Sequence, residues 1–224
     1  MKDGLQISKS RKILINKYSV NILGNNWKTG QTRMILASFE LLELGLDRIT
    51  NGRGREWIIR NLGNIRVSTG SDHSLLGGRF VLERLFSGRS HVIGDRVYLT
   101  EDFHAHAWRI PKKKGDLWIL HELAHVWDNR SAGGLATIFG GGYSDELMKM
   151  VGAKNTTFPG LRFIDGSLRI DPENAFGNQP NLIYGNNSSA DYFAHAFVAA
   201  VALPDNENAP GLGKAWMIDL INRT

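Results

Sequence analysis

The chain has 224 residues, 42% of them hydrophobic and 22% charged, and these proportions are typical of a globular protein with one domain. It contains no cysteine, which excludes disulfides and thiolate metal sites and leaves histidine and carboxylate side chains to bind any metal. No apolar run reaches the length of a membrane span, and the net charge is +5.

Residues 1–28 form a basic segment that we expect to pack on a single domain of residues 29–224. The charged residues of this segment are Lys2, Asp3, Lys9, Arg11, Lys12, Lys17 and Lys28. Such a segment can contact nucleic acid or another anionic surface, but a solvated protein face is the commoner explanation. Nucleic acid is therefore not an expected partner.

Periodic apolar residues predict most of the secondary structure. Helical spacing indicates helices over 30–49, 55–62, 189–203 and 211–222, with Asn51-Gly52 ending the first. Alternation indicates a strand or hairpin over 11–23 that turns at 24–26, a strand over 65–69, and a strand over 92–100 with Asp95 at a bend. Helices and strands in this order predict an α+β fold with a small mixed sheet and a helical C-terminal part.

The most informative segment is the apolar run 117–128, which contains His121-Glu122-Leu123-Ala124-His125. Histidines four residues apart lie on the same helix face, so both imidazoles can bind one metal ion. A catalytic zinc has three protein ligands and a water, and Glu122 can take a proton from that water. H-E-x-x-H can arise by chance, but histidines and a glutamate in a buried helix need partners, which favours one zinc ion per chain.

A third ligand must come from another part of the chain. Asp191 would lie in the first turn of the predicted helix 189–203, and His195, one turn later, faces the same way. With Ser188 as N-cap, Asp191 could instead only stabilise the start of that helix. The remaining histidines are His73, His91, His104 and His106.

This part of the chain resembles the lethal-factor-like zinc metalloproteases, named for the anthrax toxin subunit. They carry H-E-x-x-H followed by a tyrosine and, seven residues after it, a carboxylate ligand that leads a Phe-Phe-Ala-Glu-Ala-Phe run. The chain has Tyr184, Asp191 seven residues later, and Tyr-Phe-Ala-His-Ala-Phe over 192–197. Asn208-Ala209-Pro210 before the last helix is also similar. The resemblance spans roughly residues 90–224.

The resemblance implies a zincin metallopeptidase fold and a zinc-dependent metalloendopeptidase of the toxin or effector type. It makes Asp191 the third ligand and Tyr184 the hydrogen-bond donor to the tetrahedral intermediate. The chain departs from the family because Asp191 is one methylene shorter than glutamate and His195 replaces a second glutamate. His195 is therefore an alternative ligand or a partner of a ligand. Aspartate also serves as third ligand in the aspzincins, but their Gly-Thr-x-x-Tyr-Gly context is not found here.

In zincins the strand before the active helix borders the cleft, and an extended substrate can add to its edge. The candidates for this edge are Val97, Tyr98, Leu99 and Thr100. Asp128, three residues after His125, is expected either to accept a hydrogen bond from a ligand imidazole or to cap the end of the helix.

Two rival functions are a zincin-fold binding module with little peptidase activity and a basic nucleic-acid-binding domain. The presence of all the catalytic residue types argues against the first rival. We expect a monomer with a protein or peptide substrate. Residues 1–30 lack the apolar core of a signal peptide, so the protein acts where it is made or is exported through a segment outside this sequence. The resemblance to toxins and secreted effectors favours export over a cytoplasmic location.

Overall fold

The computed structural model describes residues 2–69, 91–99, 115–133, 141–150, 189–202 and 211–224, and the structural statements below concern this part of the chain. Its helices are α1 (Lys2–Tyr18), α2 (Thr29–Thr50), α3 (Gly54–Leu62), α4 (Gly115–Ser131), α5 (Tyr143–Met150), α6 (Ser189–Ala202) and α7 (Gly211–Arg223). Its strands are β1 (Asn21–Ile22), β2 (Arg66–Thr69), β3 (His91–Ile93) and β4 (Arg96–Leu99). The predicted α+β class is confirmed.

The strands form one mixed sheet in the order β1-β2-β4-β3. β1 pairs with β2, and β2 with β4, in parallel, whereas β3 and β4 are antiparallel. Val67, Val97 and Leu99 are buried, so the two central strands contribute to the core. α4 packs against β3 and β4, which places the H-E-x-x-H helix beside the antiparallel end of the sheet.

α6 is the central helix of the core. The side chains of residues 192–201 are all buried, and α6 packs against α2, α4, α5 and α7, most extensively against α4. Its sequence explains this position, because a helix that is apolar on nearly all sides must be surrounded by other elements. The helix predicted over 189–203 is confirmed.

The other helices with long apolar periods are also confirmed, and their observed limits lie within one residue of the predicted ones. α2 ends where the sequence predicts, because Asn51 adopts the left-handed conformation with φ 55° and its N–H donates to the carbonyl of Asp47. Among the described helices, none is long and apolar enough to cross a membrane.

The prediction of a strand or hairpin over 11–23 was wrong. Residues 2–18 form α1, and only Asn21 and Ile22 form a strand. The buried residues Ser10, Leu14 and Tyr18 recur every fourth position and pack towards α2, whereas Ile15 is 47% exposed. The local alternation of Ile13 and Ile15 therefore indicated the two-residue period of a strand, whereas burial against α2 follows the period of a helix.

The single strand predicted over 92–100 is a hairpin of β3 and β4. Gly94 and Asp95 form its turn, and Gly94 has φ 60°, a conformation that glycine adopts without strain. β4 consequently lies between β2 and β3, so Val97, Tyr98 and Leu99 do not form a free sheet edge as predicted. Within the described strands the two edges are β1 and β3, and β3 is the edge that contacts α4. Thr100 lies outside the described residues.

α2 and α6 approach each other so closely that a glycine is required at the crossing. A Cβ atom added to Gly45 would lie 2.0 Å from the carbonyl oxygen of Val201. Arg48 Nη2 donates a hydrogen bond to the same oxygen over 2.9 Å. A cation near the last turn of a helix is favourable, so α2 fixes the C-terminal end of α6 both sterically and electrostatically.

Gly45→Ala is expected to lower the free energy of unfolding by about 1–3 kcal/mol, because overpacking forces the backbones of α2 and α6 apart. Gly30→Ala is the matched control in the same helix, since a Cβ atom there would meet nothing within 4 Å. Denaturant unfolding measures both variants. Equal stability of Gly45→Ala and wild type would contradict the close approach.

Candidate metal centre

α4 carries the H-E-x-x-H segment through the interior of the protein. From Leu117 to Asn129 every side chain is buried except that of Trp118. The predicted position of the motif in a buried helix is therefore confirmed. A site on such a helix is held by packing on several sides, which restricts the motion of its functional groups.

His121 and His125 face each other on one side of α4. Their Nε2 atoms lie 3.1 Å apart, and their ring centroids lie 4.7 Å apart with the planes nearly perpendicular. The same separation permits a hydrogen bond between rings of suitable tautomers. Two nitrogens bound to one tetrahedral zinc at about 2.0–2.1 Å would lie about 3.3 Å apart. The pair therefore has the spacing that two imidazole ligands of one zinc ion need.

Glu122 is also buried, next to the first histidine. A carboxylate in the core loses its hydration, and this loss is tolerated only where charges or hydrogen-bond donors compensate it. Two buried imidazoles and a buried carboxylate on adjacent turns of one helix form a polar group inside an otherwise apolar region. Buried polar side chains of this kind need charged or hydrogen-bonding partners.

α6 brings a third imidazole to this group. The ring of His195 is buried, and its centroid lies 5.0 Å from that of His121. Asp191 is the third residue of α6, so its backbone lies one turn before His195 on the same face of the helix. The structure thus places the helix of both predicted candidates against α4, but the side chain of Asp191 is outside the described part.

The described side chains alone do not complete a metal site. Among them, no group of three or more histidine, aspartate or glutamate side chains has a geometry that could hold a metal ion. The donor set of two histidines with a carboxylate or a third histidine nevertheless suits zinc, which accepts imidazole nitrogen and carboxylate oxygen. Tyr184, His104 and His106 lie outside the described residues.

An aromatic cluster holds α4 in place behind the histidines. The ring of Trp127 packs edge-on against that of Trp57 at 4.8 Å and lies 5.5 Å from those of both Phe193 and Phe197. These contacts join α4 to α3 and α6.

At the end of α4, Arg130 donates hydrogen bonds to the carbonyls of Asn61 and Gly63 over 2.9 and 2.8 Å, which connects α4 to the end of α3.

Asp128 connects α4 to α5. Its Oδ1 accepts the backbone N–H of Ser144 over 2.8 Å, in the first turn of α5. Burial raises the pKa of Asp128, although the hydrogen bond from Ser144 and the charge of His125 act in the opposite direction. Asp128 thus caps the start of α5. The sequence did not indicate this role, because Ser144 lies 16 residues later and the helical spacing of α4 does not relate the two residues. Oδ2 has no hydrogen-bond partner among the described residues.

Comparisons of the chain with protein-family models, with curated proteins and with solved structures found no match. The functional interpretation therefore depends on the residues and the geometry of this chain.

Asp128→Ala is expected to lower the free energy of unfolding by about 1–3 kcal/mol, because the buried N–H of Ser144 loses its acceptor. Asp128→Asn keeps an oxygen at this place and should lose much less. Thermal and denaturant unfolding compare the two variants. If both lost the same stability, the hydrogen bond to Ser144 would not be the reason for the effect.

Proposed function

We propose that the chain is a zinc-dependent metalloendopeptidase. The observation that carries the proposal is the pair of buried imidazoles with Nε2 atoms 3.1 Å apart and a buried glutamate beside them on one helix. This combination of two ligands and a base is the one that zinc peptidases use for hydrolysis. A binding module would not require a base at this position.

His121 and His125 would hold one zinc ion per chain, and the zinc when bound would lower the pKa of a water molecule and polarise the substrate carbonyl. The Glu122 carboxylate accepts the proton of the attacking water and later delivers it to the leaving amine. α4 keeps this carboxylate in a buried environment, where interactions between charges are stronger than in water.

The third ligand is proposed to be Asp191, with His195 as the alternative. Asp191 is supported by the resemblance to the lethal-factor-like proteases and by its place on α6, the helix that packs most extensively on α4. His195 is supported by its ring contact with His121. Tyr184 is proposed as the donor to the oxyanion on the resemblance alone.

A zincin-like fold is part of the same proposal. An extended peptide that adds to the sheet beside α4 would add to β3, because β4 is paired on both sides and β3 is the described edge that contacts α4. The toxin or effector role, export through a segment outside this sequence, and a monomeric state stay predictions. So does the division into a basic segment and one catalytic domain.

Glu122→Gln is expected to keep zinc and to lose about 10²–10⁴-fold in peptide hydrolysis, because the general base is removed without loss of a ligand. Cleavage of a peptide library by the zinc-loaded protein, followed by mass spectrometry, measures the effect. Glu40→Gln, at an exposed position of α2, is the control and should cleave like wild type. Undiminished cleavage by Glu122→Gln would overturn the mechanism and favour the binding-module alternative.

Zinc content identifies the third ligand. We expect about one zinc per chain in wild type and a clear loss in Asp191→Ala, with a smaller loss in His195→Ala, because three protein ligands hold a catalytic zinc. Elemental analysis after dialysis measures all three, and Asp219→Ala in α7 is the control for an exposed carboxylate. Loss in His195→Ala alone would reassign the third ligand to His195.

A further inference from the structure

Within residues 117–129 of α4, Trp118 is the only side chain that is not buried. Its side chain is 38% exposed, whereas its neighbours along the helix are buried. A single exposed apolar side chain is ordinary on a protein surface, so exposure alone assigns no function. The position of Trp118 on the helix is the informative feature.

Trp118 shares a helix face with both histidines. It precedes His121 by three residues and His125 by seven, so the three side chains form one stripe along α4. The indole contacts the imidazole of His121, with ring centroids 6.2 Å apart and the planes at 64°. His121 and His125 retain 9% and 7% exposure. Between Leu117 and Asn129 these three side chains are thus the least buried ones, and they lie on one face of α4.

We propose that Trp118 binds an apolar side chain, preferably an aromatic one, of the peptide that is cleaved. This inference rests on the peptidase function proposed above. A peptide that enters from solvent towards the histidine pair meets the exposed indole at the entrance. The indole offers a large flat apolar surface, and aromatic pairs gain more than the burial of their area alone provides. A carboxylate side chain would lose hydration against the indole and would meet the negative face of its ring.

Two hydroxamates of different size test the inference on the zinc-loaded protein. Acetohydroxamate and 3-phenylpropanohydroxamate bind zinc through the same group and differ by one benzyl group. We expect wild type to bind the phenyl compound more tightly. Trp118→Ala should reduce the ratio of the two affinities by about 3- to 10-fold, and Trp118→Phe should keep most of it. Isothermal titration calorimetry measures the affinity of wild type and of each variant for both compounds.

Two controls separate this site from a general effect. Leu44→Ala removes an exposed apolar side chain from α2 and should leave the ratio unchanged. Trp118→Ala should contain as much zinc as wild type, because the indole is not a ligand.

The possible failures are distinguishable. If both hydroxamates bind and their affinity ratio is the same in wild type and Trp118→Ala, the assignment of Trp118 is overturned while the metal site stands. If neither compound binds to the zinc-loaded wild type, the proposed function fails and the role of Trp118 fails with it.

Discussion

The packing of α6 on α4 brings together the apolar core and the polar residues of the candidate site. Phe193 and Phe197 of α6 surround the indole of Trp127 on α4. Each buried phenylalanine contributes about 1.5–3 kcal/mol through the removal of its ring from water. On the same helix, His195 lies against His121. The contact between α4 and α6 thus stabilises the fold and also sets the distance between His121 and His195.

The position of α6 depends on contacts that are remote from the histidines. α2 reaches the backbone of α6 at Gly45, and Arg48 holds the carbonyl of Val201 at the far end of the helix. The C-terminal end of α4 is connected to α5 through Asp128 and to α3 through Arg130. Both helices are therefore fixed at their C-terminal ends, which suits a site whose donors must keep their separation within a few tenths of an ångström.

The sequence could predict the elements whose apolar residues repeat over several turns. α2, α6 and α7 have such repeats, and the H-E-x-x-H motif required α4 to be a buried helix. It could not predict α1, because two isoleucines at 13 and 15 imitate a strand over a short distance and only packing on α2 shows which period applies. The hairpin of β3 and β4 was missed because Asp95 was interpreted as a bend within one strand, and the turn that it forms with Gly94 is recognised only when the pairing of the strands is known.

For the site, the histidine pair, the glutamate and the face of α6 could be found from spacing alone, since one helical turn separates the residues within each element. The link from Asp128 to Ser144 could not, because it joins residues from different helices. The exposure of Trp118 is likewise a property of the packed structure. Asp191 and His195 stay alternatives because a shared helix face does not determine which side chain reaches a metal.

The most direct test of the central claim is zinc K-edge X-ray absorption of the protein loaded with one equivalent of zinc. The account predicts a low-coordinate zinc with nitrogen or oxygen ligands at about 2.0–2.1 Å and the scattering pattern of at least two imidazole rings. A spectrum with oxygen ligands and no imidazole would contradict the account, because His121 and His125 would then not bind the metal.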